Sequence, residues 1–266
     1  MNTLVIANQK GGVGKTTTAV NLSASLFAMK RKVLLVDLDP QANATTGSGI
    51  KKIQQTEGLV LPSWEEDRTQ IKASKTGGYD VLPSGPILIA KEAELRVIEE
   101  RELQLDRLLR QLENKYDYII IDCPPALNLL TINGLRAASY LLVPMQCEYY
   151  ALEGLAALLQ TVDQLNERTG HTLELGAIVR TMFDPRNKLT KLITEDLITH
   201  FPRELFSTVI PRNVRLAEAP SFGKPALNYE PNAKGTLAYL ALAGELIERI
   251  EEQEGQEDLK GVAAHE

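Results

Sequence analysis

The residues with the clearest capacity for chemistry are Lys10-Gly11-Gly12-Val13-Gly14-Lys15-Thr16-Thr17. They follow a short apolar run, Leu4–Ala7, and open a helical stretch, Thr17 to Ala28. A glycine-rich turn between a strand and a helix presents backbone N–H groups to an anion, and the helix N-terminus adds partial positive charge. In such a turn Lys15 reaches the β- and γ-phosphates and the Thr16 hydroxyl faces Mg²⁺. The expectation is a nucleoside-triphosphate site. A glycine-rich turn carrying two solvated lysines is the plainer alternative; strand, turn, helix and downstream acids falling in register favour the phosphate site.

The loop departs from the ordinary phosphate loop at one place. A glycine is usual five positions before Gly14, and Gln9 stands there, with a second lysine, Lys10, beside it. This resembles the deviant phosphate loop, Lys-Gly-Gly-x-Gly-Lys-Thr, of the ParA/MinD family of ATPases. The likeness continues through Val33-Leu34-Leu35-Val36-Asp37-Leu38-Asp39-Pro40-Gln41, Ile119-Ile120-Ile121-Asp122-Cys123-Pro124-Pro125 and Val143-Pro144. Gln146-Cys147-Glu148-Tyr149-Tyr150 and Pro211-Arg212-Asn213-Val214-Arg215-Leu216-Ala217-Glu218-Ala219-Pro220 resemble the chromosomal, Soj-type branch, over about Met1–Glu252. Between Lys51 and Gly78 nothing family-specific is recognised.

Mg²⁺ takes oxygen ligands and keeps several waters. Thr16 supplies one oxygen. Asp122, ending an apolar run, suits the metal directly or through water, or else caps the next helix. Asp39 is the third metal-facing candidate. Phosphoryl transfer needs an attacking water held in line, and the resemblance implies that Asp39 positions it; a turn residue before Pro40 is the bland reading. Asp37 is expected nearer the metal or the hydrogen bonds of its own loop. The resemblance also implies that Lys10 reaches across a dimer to the other subunit's nucleotide, ATP lying at the interface of a sandwich that hydrolysis dissolves. A cation supplied in trans is worth about 10³–10⁵ in rate in related hydrolases. Met182, Pro211 and Asn213 are candidates for the adenine. Asn213 pairs bidentately with its edge or caps a short helix.

These groups need a scaffold. Apolar runs at Leu4–Ala7, Val33–Asp37, Asp80–Leu82, Tyr118–Asp122, Tyr140–Val143, Leu175–Arg180 and Phe206–Ile210 alternate with helical patterns. This predicts an α/β fold, a mostly parallel twisted sheet with helices on both faces and right-handed crossovers. The phosphate loop and the acids then lie at carboxyl ends of strands, where ligands bind in such sheets. Leu88–Lys115 reads as one long helix and Ala233–Glu252 as the last. Residues 1–254 form a single ATPase domain, and 255–266 are an acidic tail without periodicity, expected to be disordered.

The chain has 266 residues, 44% hydrophobic, a formal charge of −6 and a pI near 5.3. It holds no apolar run near the length of a membrane span, and its first strand begins too early for a secretory signal. Two cysteines, Cys123 and Cys147, fit a reducing cytosol and a packing role, with no ligand neighbour at metal spacing. Charge is unevenly placed. Arg180–Thr236 has nine Lys/Arg against six Asp/Glu, a net of +3, whereas Gly244–Glu266 has eight acids against two bases, a net of −6. Lys188, Lys191, Arg203, Arg215, Lys224 and Lys234 are candidates for DNA contact, Arg212 for DNA or nucleotide; solvated surface charge is the alternative. With no base-reading motif, the expected mode is phosphate contact without sequence preference.

The resemblance therefore implies a slow Mg²⁺-dependent ATPase, dimeric with ATP, binding double-stranded DNA non-specifically and stimulated by a ParB-type centromere-binding partner. It would be cytoplasmic and nucleoid-associated. A nucleotide-switched scaffold for another cargo shares the same loop. A MinD-type membrane-surface ATPase needs a basic C-terminal amphipathic helix, and this chain ends Glu248-Arg249-Ile250-Glu251-Glu252-Gln253-Glu254. An iron–sulfur reductase needs cluster cysteines, which Cys123 and Cys147 do not resemble.

Overall fold

The computed structural model describes residues 1–54 and 70–263, with side chains up to 252. Eight strands form one sheet in the order β3-β4-β2-β5-β1-β6-β7-β8. They are β1 (Asn2–Ile6), β2 (Val33–Asp37), β3 (Lys72–Ala73), β4 (Asp80–Leu82), β5 (Tyr118–Asp122), β6 (Tyr140–Met145), β7 (Glu174–Phe183) and β8 (Leu205–Pro211). Every pairing is parallel except β3 with β4. All seven expected strands are present. The eighth, β3, is two residues long on an edge, too short for any periodicity.

Ten helices connect the strands: α1 (Lys15–Ala28), α2 (Asn43–Gly47), α3 (Ile87–Leu95), α4 (Gln104–Arg110), α5 (Leu129–Ala137), α6 (Ala151–Thr169), α7 (Lys188–His200), α8 (Val214–Glu218), α9 (Ala226–Tyr229) and α10 (Lys234–Ala263). Alternate strand residues feed two cores. Val5, Val36, Ile121 and Val143 face α3 to α7, while Leu4, Ile6, Leu35, Ile120 and Leu142 face α1, α2 and α8 to α10. Burial on both faces is why the central strands read as unbroken apolar runs rather than alternating ones.

Two helices differ from expectation. Leu88–Lys115 is not one helix: α3 stops at Leu95, Glu100 adopts a left-handed φ of 51°, and a 3-10 turn, Arg101–Leu103, leads into α4. The cause lies in α5. Buried Asn133 accepts from the Leu105 N–H (3.1 Å) and donates to the Arg101 carbonyl (2.9 Å), capping α4 from outside. This lets Leu95 and Leu105 both enter the core while Val97, between them, is 88% exposed. The last helix runs beyond Glu252 to Ala263, so the segment from Gly255 is helical up to there. Its Glu, Gln and Leu residues extend a helix already nucleated, which needs no new initiation. Residues 264–266 of the expected tail, and 55–69 of the stretch without family features, lie outside the described residues.

Candidate nucleotide site

The phosphate-loop candidates Lys10 to Thr17 form the turn from β1 into α1. Gly12 and Gly14 hold left-handed φ of 76° and 95°, values that glycine adopts without steric cost. A Cβ on Gly11 or Gly12 would meet nothing within 4 Å, so the loop encloses open space. Three contacts hold it in shape. The Thr181 hydroxyl donates to the Val13 carbonyl (2.7 Å), Gln146 Nε2 donates to the Gly12 carbonyl (3.2 Å), and the Lys10 N–H donates to Asn8 Oδ1 (3.0 Å). Thr17 is half-buried beside Thr18, whose hydroxyl hydrogen-bonds the Tyr239 phenol of α10 (3.0 Å).

Lys15 is buried, and its Nζ donates to the Lys10 carbonyl (3.1 Å). Burial lowers its pKa, against the opposing pull of Asp122, Cys123 and Asp39. Lys10 is different: its ammonium is half exposed and ion-paired with Glu148, in the turn after β6.

The acids gather where β2 and β5 end. Asp37 and Asp122 share a register on those strands, and Ile6 of β1 lies across from Asp122. Asp37 accepts from the Thr45 hydroxyl (2.7 Å), the Thr45 N–H (2.8 Å) and the Asp39 N–H (3.1 Å). It therefore serves its own loop. Burial nevertheless raises it to about 6, the three hydrogen bonds opposing. Asp122 is wholly buried, and neither of its oxygens completes a hydrogen bond, although the Thr16 hydroxyl lies close enough to favour the ionised form. Burial first, then Asp37, pushes its pKa well up.

Two orphaned carboxylate oxygens next to a hydroxyl, at the mouth of a phosphate-sized turn, form a hard-oxygen donor set that fits Mg²⁺. Among the described residues no group of three or more His, Cys, Asp or Glu is placed to hold a metal. That suits an ion completed by phosphate and water. Asp39 is half-buried at the loop's rim. Its Oδ1 accepts from the Gln41 N–H (2.9 Å), and its carbonyl accepts from the Ser84 hydroxyl (2.6 Å). These contacts are those of a turn residue.

Met182, Pro211 and Asn213 line one cavity of about 210 Å³ that reaches Gly14 and Thr17. Met182 sits at a left-handed φ of 48°, its sulfur accepting from Gln146 Nε2. Asn213 caps α8, its Oδ1 accepting from the Arg215 N–H (2.9 Å). A bidentate contact to a base would have to share that oxygen, whereas its two amide donors are not committed to the cap.

The DNA candidates do not form one cluster. Lys188 and Lys191 start α7, Arg215 ion-pairs with Glu218, and Lys224 and Lys234 flank α9, all exposed toward the carboxyl ends of the strands. Arg203 lies at the other end of β8, roughly 20 Å of strand away, where its carbonyl accepts from Arg249. Sequence reasoning gave no role to Thr181, Gln146, Glu148, Thr45 or Ser84. Thr181, Gln146, Glu148 and Ser84 act through contacts more than 40 residues distant in sequence, and Thr45 reaches Asp37 across eight; no local spacing signals them.

The AAA_31 family model (AAA domain) matches residues 1–175. The chain is 46% identical over 249 residues to the chromosome partitioning protein ParA of Myxococcus xanthus, covering 92% of this chain and 88% of that one. It is 46% identical over 245 residues to the sporulation initiation inhibitor protein Soj of Bacillus subtilis, covering 91% and 97%. Among solved structures it resembles a cobyrinic acid a,c-diamide synthase of Mycobacterium smegmatis with a bound ATP analog and magnesium. There the TM-score is 0.78 and the identity 32%, covering 94% of this chain and 96% of that one. No helix among the described residues is long and apolar enough to cross a membrane.

Proposed function

The chain belongs to the ParA/Soj family of chromosome-partitioning ATPases, and on that premise we propose that it is a Mg²⁺-dependent ATPase that binds DNA as an ATP-bound dimer. The observation that carries the reading is the buried Asp122 carboxylate without hydrogen-bond partners, facing Thr16 below an open glycine turn.

Lys15 leaves the Lys10 carbonyl for the β- and γ-phosphates. The N–H groups of Gly11 to Thr17 line the phosphate chain, and the Thr16 hydroxyl and the Asp122 carboxylate are the groups that would hold Mg²⁺. Bound there, the ion would neutralise charge on the phosphates and fix their orientation. Asp39, tied to Asp37 behind it, holds the attacking water in line with the γ-phosphate. Lys10 stabilises the transition state from the partner subunit. Met182, Pro211 and the Asn213 amide form the adenine wall. Hydrolysis is slow until a ParB-type partner completes the arrangement.

A monomer offers few phosphate contacts to DNA. A dimer doubles Lys188, Lys191, Arg215, Lys224 and Lys234, so ATP gates DNA binding through dimerisation, with Arg203 at the margin. Non-specific binding of this type has Kd about 10⁻⁴–10⁻⁶ M at physiological salt and weakens steeply as salt rises. The protein then sits on the nucleoid in the cytoplasm.

The test is duplex-DNA binding at several salt concentrations with ATP and Mg²⁺, with ADP, and without nucleotide, alongside Asp39→Ala. Salt-sensitive, sequence-indifferent binding with ATP alone, prolonged in the variant, is the expected result. No ATP-dependent binding at low salt overturns the DNA reading and leaves a nucleotide-switched scaffold for another cargo.

A further inference from the structure

Both lysines of the loop already have anionic or carbonyl partners within the single chain. Lys15 Nζ is held by the Lys10 carbonyl, and Lys10 Nζ by the Glu148 carboxylate. Each ammonium is thus engaged by an oxygen of its own chain. Glu148 does not reach Lys10 by chance rotation of a free side chain. Its turn is fixed onto the loop: Gln146 Nε2 donates to the Gly12 carbonyl and to Met182 Sδ, and the Glu148 N–H closes on the Gln146 carbonyl (2.9 Å). Beyond the turn, Tyr149 and Tyr150 meet edge-to-face with about 70% of their surface exposed.

We propose that Glu148 is a positioning residue that holds Lys10 over its own subunit, and that ATP-driven dimerisation requires Lys10 to exchange Glu148 for the partner's nucleotide. The inference rests on the sandwich-dimer reading above. With both side chains near half exposure, the pair is weak by the standard of such contacts. It therefore acts as a threshold and not as a lock. Each subunit gives up one such pair, so losing it lowers the protein concentration needed for the ATP-bound dimer by about two- to thirtyfold, twice the free energy expected for a single exposed ion pair. Nucleotide affinity of the dilute monomer stays the same, because Glu148 touches Lys10 rather than Lys15.

The experiment is a double-mutant cycle on the full chain in the slow-hydrolysing Asp39→Ala background. Dimerisation with ATP and Mg²⁺ is followed by sedimentation for the parent, Glu148→Gln, Lys10→Ala and the pair. Glu148→Gln is expected to lower the dimer Kd by that factor and Glu148→Asp to restore much of it. Glu148→Gln should have no effect once Lys10 is alanine. The difference between Glu and Gln should shrink as salt rises, because an exposed pair is screened. An unchanged dimer Kd in Glu148→Gln, or an equal change in the Lys10→Ala background, overturns the role of Glu148 while leaving the dimer intact. Absence of any ATP-dependent dimer in the parent overturns the sandwich reading together with it.

Discussion

Asp37 and Asp122 stand at one register on neighbouring strands, yet Asp37 receives three hydrogen bonds and Asp122 completes none. The same burial is therefore structural in one carboxylate and a reserve of binding capacity in the other.

That asymmetry sets a pH dependence. Both acids have folded pKa values above their unfolded ones, Asp37 reaching about 6. Such groups contribute stability below the unfolded value, near 4, and the contribution is lost as pH rises through the folded value. In the nucleotide-free chain Asp37 is expected to make stability decline between about pH 4 and 6, and Asp122, also held above its ordinary value by burial, adds to the decline as pH rises. Bound Mg²⁺ with nucleotide should oppose the loss. Protons and Mg²⁺ compete for Asp122, so apparent Mg²⁺ affinity should weaken as pH falls. Urea midpoints across that range, with and without Mg²⁺ and nucleotide, check both.

Asp122→Asn removes a buried carboxyl whose ionisation the free chain opposes. The free chain should gain about 1–3 kcal/mol, the cost of a buried ionisable group lacking a partner, while Mg²⁺-dependent nucleotide binding is lost. Chemical denaturation combined with calorimetric titration separates the two effects.

Thr45→Val withdraws a hydroxyl that donates to Asp37 and accepts from the Ser84 N–H (2.9 Å). Two buried partners lose a contact together, so a destabilisation of about 1–3 kcal/mol is expected. The Asp39 segment should loosen with it. Single-turnover hydrolysis should fall more than nucleotide affinity does.

Gly12→Ala should discriminate cradle from fold. The left-handed φ of 76° costs an L-residue about 1–2 kcal/mol, and the new methyl meets nothing in the free chain. It does occupy phosphate space. Nucleotide affinity is expected to drop more than tenfold, with only that modest loss of stability, as read by titration and melting.

Asn213→Asp keeps the oxygen that caps α8 and deletes the amide donors. Stability should hold within about 0.5 kcal/mol, while preference for adenine over guanine nucleotides narrows. Asn213→Ala should lose both.

What the sequence disclosed, and what it hid, follows from the range of each interaction. The strand–turn–helix of the phosphate loop and the acids closing β2 and β5 are local patterns, since burial on both faces leaves the strands apolar from end to end. That Pro211 and Asn213 line one cavity was approachable because they belong to one family run. The break between α3 and α4 was not, because its cause is Asn133, a side chain arriving from another helix. Glu148 likewise stood in plain view within a recognised run, but its partner lies 138 residues earlier, and only the fold brings the two together.

The order of the strands has a further meaning for a protein made from one end. The phosphate loop and the acids proposed to hold water and metal lie at the ends of β1, β2 and β5, three adjacent strands from the first half of the chain. The residues proposed to face the base come from β7 and from just after β8, at the far side of β6. Yet the loop is itself propped by Thr181 of β7 and by Gln146 after β6. The early and late halves of the proposed site are therefore completed together.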